Sequence, residues 1–513
     1  MTSSEGTEAG QSDSGSLPAH VGVAIVGTGF AGLGMAIRLK QAGRDDFVVL
    51  ERAEDLGGTW RDNSYPGCAC DVPSHLYSFS FAPNPRWSRT FSGQAEIWSY
   101  LREVTERAGI GPHLRFGAEL LQAAWDQTVQ VWRIETARGA MTADALVAGM
   151  GPLSDPAVPH LPGLTSFAGR TFHSAAWDHS DDLSGRKVAV IGTGASSIQF
   201  IPQIAPRVEA LTVFQRTAPW IMPRRDRRVT AIERFIYTHA PAAQRAMRAG
   251  IFATREVLVL GLTGRAALLA AFEKQALKHL RAQVGDPALR ATLTPRYRLG
   301  CKRILISNDY YPALARDNVQ VATDTITEVV PTGIRTEDGT VHEADTLIFA
   351  TGFHVTDMAV GDRVRGIGGQ SLDDVWQGSP TAYLGTTVAG FPNFFLLVGP
   401  NTGLGHSSIV YMIESQVPYI VQALDHARRC GPVDVRPEVA QAYNAKLQRQ
   451  MSGTVWTDGG CKSWYLDRHG RNSTLWPDFT FRFRRLLRRF NPADYRQHPR
   501  RVEATEGDLV AAG

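Results

Sequence analysis

The chain has 513 residues, too long for one ordinary hydrophobic core, so two or three domains are expected. Hydrophobic residues make up 43% and charged residues 20%, the balance of a soluble globular protein. A net charge of +4, set against 54 basic and 50 acidic residues, gives no field that would argue for nucleic acid as a partner. Residues 1–18 are rich in Ser, Gly, Glu and Asp and have neither a basic start nor an apolar core. They read as a disordered leader rather than a signal peptide. The cysteines Cys68, Cys70, Cys301, Cys430 and Cys461 are odd in number and show no framework spacing, no C-x-x-C pair and no zinc pattern. A reducing compartment, hence the cytoplasm, is expected, and no metal. No run of ~18 apolar residues suggests a transmembrane helix.

Val23-Ala24-Ile25-Val26 reads as a buried strand that stops at Gly27. A helix is expected over Met35 to Gln41, and Phe47-Val48-Val49-Leu50 forms a second strand ending at Glu51. Ala145 to Gly149 is another buried-type strand. A second unit of the same kind begins at Lys187: Val188 to Ile191, then Gly192, a helix from about Ser196, and Leu211 to Phe214 ending near Arg216. Between about Arg224 and Arg298, Ala, Leu and Arg dominate with helical periodicity, as in Gly264 to Phe272. This stretch reads as a helical insertion in the second unit, packed as core or lid rather than on a membrane surface. The arginine clusters at 224–228 and 482–489 read as solvated faces. Thr346 to Gly352 and Asn393 to Gly399 are further buried-type strands, the latter followed by a loop, Pro400 to Gly403, and a helix from about Ser407. The chain thus visits one unit, leaves for the other and returns.

The loop Gly27-Thr28-Gly29-Phe30-Ala31-Gly32 has the form of a dinucleotide-binding turn: tight at Gly27, open to pyrophosphate at Gly29, closely packed at Gly32. The helix behind it offers free N–H groups to phosphate. Glu51 stands 24 residues after Gly27 (27 to 51), where a carboxylate accepts hydrogen bonds from ribose hydroxyls. The second loop is Gly192-Thr193-Gly194-Ala195-Ser196-Ser197, with serine in place of the third glycine. The same step of 24 residues (192 to 216) leads here to Arg216, followed by Thr217. An acid would repel a 2′-phosphate, whereas arginine binds it bidentately, so the second site suits NADPH. A flavin is the natural acceptor at the first. A flavin disulfide reductase would carry a redox cysteine pair soon after its ribose acid. Here Gly57-Gly58-Thr59 is followed by Trp60, and Cys68 and Cys70 are too close for a functional disulfide. Oxygen, a quinone or another protein remains as the final acceptor.

Phe167-Ala168-Gly169-Arg170-Thr171-Phe172-His173-Ser174-Ala175-Ala176-Trp177-Asp178 resembles the fingerprint F-x-G-x-x-x-H-x-x-x-W-P/D of type I Baeyer–Villiger monooxygenases, a class B flavoprotein family. Gly57-Gly58-Thr59-Trp60 with Tyr65-Pro66-Gly67 and Asp71 resembles the family's second fingerprint. Cys301-Lys302-Arg303, Ala350-Thr351-Gly352 and Ser463-Trp464-Tyr465 extend the similarity across nearly all of residues 20 to 490. The resemblance implies an α/β fold with two Rossmann-like dinucleotide-binding domains. FAD would be bound by residues 19–150 and 381–495, and NADP by 151–222 and 299–380. The helical insertion would occupy 223–298 and a tail 496–513. It also implies a flavin C4a-peroxide that inserts oxygen into a ketone, giving an ester or lactone, with sulfoxidation as a side activity.

By the same resemblance Arg303 is the active-site arginine, stabilising oxyanions as a permanently charged donor, and Asp71 is its partner. Arg216, Thr217 and Lys302 are the expected 2′-phosphate contacts, and Trp464 closes over NADP. The FAD side is expected to use Thr59, Trp60, Asp62, Asp71, Tyr77, Leu120 and Asn401 beside Phe30 and Ala31. His173 is expected to be a hinge residue with Phe167 and Trp177 packed around it, and Gly169 and Asp178 completing the fingerprint; neither it nor His406 is assigned a general-base role. The stretch after Tyr465, Leu466 to Asn472, departs from the family's usual Gly-Ala-Asn-Ile-Pro-Gly-like sequence, so the family's substrates do not carry over. Two other readings stand beside this one: an N- or S-hydroxylating flavin monooxygenase, and a redox-sensing binding protein that uses FAD and NADP. Oligomeric state is left open.

Overall fold

The branched residues of β1 (His20–Val26) are buried along almost its whole length, the pattern of a strand covered by helices on both faces. The computed structural model describes residues 15–498 except Arg265, Asp357 and Ala359, so most of the expected leader and tail lie outside the described residues. β1 pairs in parallel with β2 (Phe47–Leu50), which pairs in turn with β3 (Leu114–Arg115). β4 (Leu120–Asp126), β5 (Val131–Thr136) and β6 (Gly139–Ala148) form an antiparallel meander, and β6 joins β1 in parallel with Ala24 beside Leu146. Helix α1 (Phe30–Gln41) crosses from β1 to β2. It starts five residues before the expected Met35, because Gly29, in extended conformation, lets helical turns begin directly at the loop. The short α2 (Thr59–Asp62) and the longer α3 (Gln94–Arg107) complete this side.

The second sheet is all parallel. Its strands are β7 (Arg170–His173), β8 (Lys187–Ile191) and β9 (Ala210–Phe214), with α4 (Ser197–Ile204) linking the last two. β10 (Ile221–Met222) then leads into four helices: α5 (Ala231–His239), α6 (Pro241–Leu262), α7 (Ala266–Gln283) and α8 (Pro287–Thr292). β11 (Leu305–Ile306) closes this excursion by pairing with β10. After α9 (Tyr310–Leu314) come β12 (Val319–Ala322), a small antiparallel sheet of β13 (Ile326–Val330), β14 (Gly333–Thr336) and β15 (Val341–Glu343), and β16 (Thr346–Phe349). The order across the sheet is β12-β9-β8-β16-β7. Residues 170–173, expected in a linker, are therefore its edge strand.

The return to the first sheet comes earlier than the expected boundary at 381. β17 (Val364–Arg365) already pairs with β4. After α10 (Leu372–Trp376), β18 (Phe394–Leu396) pairs with β6, and α11 (Ile409–Cys430) packs against α1.

Helix α6 lies across the first domain. Its Arg248 donates to the carbonyl oxygens of His75 at 2.7 Å and Ser78 at 2.9 Å. One turn on, Phe252 stacks on Tyr411. Glu256, 5% exposed, accepts from the backbone and hydroxyl of Thr480 at 2.8 Å each and faces His406 Nε2 at 3.3 Å. Positions 248, 252, 255, 256 and 259 share one helical face, so this face covers the first domain. No helix among the described residues is long and apolar enough to cross a membrane.

Candidate active site

The two nucleotide loops sit at the carboxyl ends of β1 and β8, where an open parallel sheet binds ligands. In the first, a Cβ on Gly32 would stand 1.8 Å from the carbonyl oxygen of Gly27. Only glycine fits there. Gly32→Ala should therefore push the first turn of α1 away from the loop, cost several kcal/mol as a backbone clash, and give protein that melts lower and retains less FAD per chain by absorbance. The second loop solves the same problem differently. Ser197 is buried at the matching position, and its hydroxyl donates to the Gly192 carbonyl at 2.8 Å. The serine that departs from the glycine pattern thus ties the turn together.

Glu51 is 5% exposed and bonds back onto the first loop: its carboxylate accepts from the Thr28 amide at 3.0 Å and hydroxyl at 2.6 Å, and from Ala53 N at 3.0 Å. Arg61 Nη1 lies 3.1 Å from the oxygen that accepts from Ala53. A Cβ on Gly58 would approach Gly29 Cα to 3.1 Å, so two glycine backbones face each other beside the helix start, with no side chain capping α1. Trp60 donates to the Tyr77 hydroxyl at 3.1 Å, and Tyr77 packs edge-on against Phe30. Ala31 is buried beside them, while Thr59 is exposed.

Tyr65-Pro66-Gly67 is the seam between the domains. Tyr65 donates to Gln199 of α4 at 3.0 Å, and Gln199 donates to the Ala69 carbonyl at 2.9 Å. Gly67 has φ +79°, and a Cβ there would meet the Gln199 carbonyl oxygen at 2.7 Å. Both facts require glycine. Just beyond the seam, Asp71 meets Arg303 across 232 positions of sequence in a two-pronged pair: Nε to Oδ2 at 2.7 Å and Nη2 to Oδ1 at 2.7 Å. Nη1 donates to the Leu404 carbonyl at 3.3 Å. The Asp71 carboxylate holds the guanidinium well above its ordinary pKa, against the opposing effect of burial. Arg303 is charged at every working pH.

Lys302, next to Arg303 in the chain, lines a pocket of about 410 Å³ together with Arg216, Thr217, Arg296, Tyr297, Gly460, Cys461 and Lys462. Among the described residues none of its four cations has an ion pair. Burial, and then the neighbouring Arg216, lower the pKa of Lys302. Thr193 reaches the Thr217 carbonyl at 3.3 Å, while Gly194 and Ala195 are exposed and a Cβ on Gly194 would meet nothing within 4 Å. Ser196 heads α4 without a side-chain cap.

The other expected residues have the following surroundings. Leu120 is 1% exposed inside the core with Trp125 and Trp132, so its side chain is not brought to the site. Asp62 is paired with Arg61 at 2.7 Å. Asn401 is buried with φ +57°, and its amide donates to the carbonyls of Asn472 at 2.8 Å and Leu475 at 3.0 Å, clamping the divergent loop. Trp464 is 44% exposed against the ring of Tyr465. His173 is not sandwiched by Phe167 and Trp177. Its ring lies edge-on to Phe353 and accepts from Ala175 N at 3.1 Å. Phe167 and Trp177 belong to different clusters, Trp177 packing on Phe172 and Phe200. Burial lowers the His173 pKa, which favours a neutral ring. A Cβ on Gly169 would strike the Asp345 carbonyl oxygen at 2.2 Å, and Asp178 holds Ser180 and Arg170.

Over 500 residues the chain is 52% identical to a Baeyer–Villiger monooxygenase of Streptomyces coelicolor, covering 96% of each chain. It belongs to the Baeyer–Villiger monooxygenases. A second Baeyer–Villiger monooxygenase, from Pseudomonas aeruginosa, is 49% identical over 480 residues, covering 93% of this chain and 91% of the relative. The crystal structure of cyclohexanone monooxygenase from Rhodococcus sp. Phi1 bound to NADP+ superposes with a TM-score of 0.81 at 30% identity, covering 92% of this chain and 97% of that one. Residues 24–236 match the family described as pyridine nucleotide-disulphide oxidoreductase. FAD and NADPH are the cofactors of this Baeyer–Villiger monooxygenase, and the residues fit both. The facing glycines leave backbone free for the FAD pyrophosphate, and the open Gly194 with four unneutralised cations suits a nucleotide carrying a third phosphate.

Four features of the enzyme escape sequence reasoning. Arg296 and Lys462 join the cationic pocket; the only hint is that Lys462 abuts Ser463-Trp464-Tyr465. The Tyr465 hydroxyl is buried and has no hydrogen-bond partner among the described residues, and burial pushes its pKa up to about 12, so it stays a donor. Arg255 of α6 senses the charges of Asp71 and Arg303 and has no hydrogen bond or ion pair among the described residues. Cys301 and Cys461 are joined in a disulfide across 160 positions, while Cys68, Cys70 and Cys430 are free. No spacing rule marks that pair, and it qualifies the expectation drawn from the odd cysteine count.

Proposed function

We propose that Arg303, oriented by Asp71, is the catalytic residue by which this monooxygenase converts a ketone to an ester or lactone. The overall change is ketone + O2 + NADPH + H+ to ester + H2O + NADP+. Bound FAD supplies the reduced ring that activates oxygen. The observation that carries the reading is the two-pronged pair between segments of the two domains. Of the five guanidinium N–H groups, three are engaged with Asp71 and Leu404. Two remain for the negative charge that grows on the attacked carbonyl oxygen. Such donors act most strongly when their orientation is set beforehand, and Asp71 sets it. Arg216, Thr217 and Lys302 would hold the 2′-phosphate of the donor, and Glu51 with the Gly27 loop would hold the ribose and pyrophosphate of FAD. Trp464, exposed and two residues beyond Lys462, would cover the nicotinamide nucleotide.

With NADPH, 18O2 and a panel of linear, cyclic, aromatic and polycyclic ketones, the expected product is an ester or lactone carrying one labelled oxygen. A thioether in the same assay should give sulfoxide at a lower rate. NADPH consumption with labelled sulfoxide or N-oxide but no ester from any ketone would overturn the reading in favour of heteroatom oxidation.

A further inference from the structure

Besides Arg216 and Thr217, the cationic pocket draws on two further stretches of chain far apart in sequence. One is 296–302, which supplies Arg296, Tyr297 and Lys302; the other is 460–462, which supplies Lys462. The Cys301–Cys461 disulfide joins them, and each cysteine is followed directly by a pocket lysine. Cys301 is 1% exposed and fixed in the core, whereas Cys461 is half-buried and Lys462 exposed. Arg298 N donates to the Gly459 carbonyl at 3.0 Å, which holds the loop just before the bridge. Lys462 itself has no hydrogen bond or ion pair among the described residues. Like charges gathered without a counter-ion repel, so the cluster opposes its own assembly until an anion enters. Covalent attachment to the buried Cys301 keeps the exposed lysine in place against that repulsion.

We propose that Lys462 is a specificity residue for the 2′-phosphate of NADPH, and that the Cys301–Cys461 disulfide is the redox-sensitive tether that positions it. A small dithiol reduces the tether by exchange. Its thiolate attacks Sγ of Cys461, the S–S bond breaks, and Cys301 leaves as a thiolate that takes up a proton. The reagent's second thiol then displaces Cys461 and closes the reagent's own disulfide. Two electrons and two protons pass to the protein, leaving two thiols. The freed 460–464 segment carries Lys462 away from Lys302 and Arg216, and the donor site loses one phosphate contact without losing its dinucleotide loop. The inference rests on the reading that Arg216 marks the 2′-phosphate site.

The test uses the FAD-loaded enzyme, reduced with dithiothreitol and freed of reagent, beside untreated enzyme. Alkylation and intact mass count the thiols, and KM is measured for NADPH and NADH. Untreated protein should show three alkylated cysteines and reduced protein five. Reduction should raise KM for NADPH about tenfold, the order of one lost charge-assisted hydrogen bond, with KM for NADH unchanged within about twofold. Cys461→Ser should reproduce this without reagent. Lys462→Ala should match it and add nothing further on reduction, and Lys462→Arg should restore NADPH preference. Five thiols in untreated active enzyme, or an unchanged KM for NADPH once two new thiols have appeared, would overturn the proposal. Equal rises for both donors in Lys462→Ala would do the same. Failure of the underlying site reading shows separately, as an Arg216→Ala enzyme that keeps its preference for NADPH.

Discussion

Arg303→Ala should leave reduction by NADPH within a few-fold of the parent while ester formation falls by on the order of 10²–10³, the usual cost of deleting one preorganised oxyanion donor. The substitution removes the Asp71 pair and the bond to the Leu404 carbonyl together. What is lost chemically is a charge, because the Asp71 carboxylate keeps this guanidinium protonated at any working pH. What is left behind is the Asp71 carboxylate without its Arg303 partner, which repels the negative charge that the reaction must build. Arg303→Lys separates the two contributions. A lysine supplies charge but no planar fork, so it should recover part of the rate and little of the selectivity among ketones. Stopped-flow reduction and labelled-product yield give the two readouts, and thermal melting checks the fold. An alanine enzyme that makes ester near the parent rate would remove Arg303 from the chemistry.

Arg216→Ala should raise KM for NADPH by about 10- to 100-fold, the range expected for charge-assisted bonds to phosphate, and leave KM for NADH nearly unchanged. Arg216 is exposed at the rim of the cationic pocket and unpaired among the described residues. It therefore contributes little to the empty fold and has no structural partner to lose. NADH lacks the phosphate, so its binding does not register the change. A parallel rise for both donors would show that Arg216 holds the common part of the nucleotide instead.

Local features were legible from sequence because their causes are local. The turn at Gly27, the strand into Glu51 and the matching run from Gly192 to Arg216 each depend on residues a few positions apart. Ser197 shows the limit: its place in the motif is readable, but its bond to the Gly192 carbonyl is a matter of geometry. The Asp71–Arg303 pair came from a family resemblance, since nothing in the spacing of residues 232 apart predicts a contact. The surroundings of His173 differ from the expected ones because residues 170–173 form a strand. A strand sends flanking residues to either side of its sheet, and Phe167 and Trp177 went to separate cores. Leu120, expected on the FAD side, begins β4 with its side chain in the core. Lys462 and Arg296 are ordinary basic residues until the chain brings them to one pocket, and Arg255 until α6 brings it near the charges of Asp71 and Arg303.

The Cys301–Cys461 bond also changes what the molecule is as a covalent object. The polypeptide passes between its nucleotide domains twice, between β6 and β7 and again between β16 and β17. Cys301 lies in the stretch between those crossings and Cys461 in the stretch after them. A protease that severed both crossings would therefore leave two covalent pieces: the segment through β6 by itself, and the NADP-binding part still fastened by the disulfide to the returning FAD-binding part. Only an added reductant would divide that second piece. The connection between the domains thus has three strands, and one of them is made of sulfur.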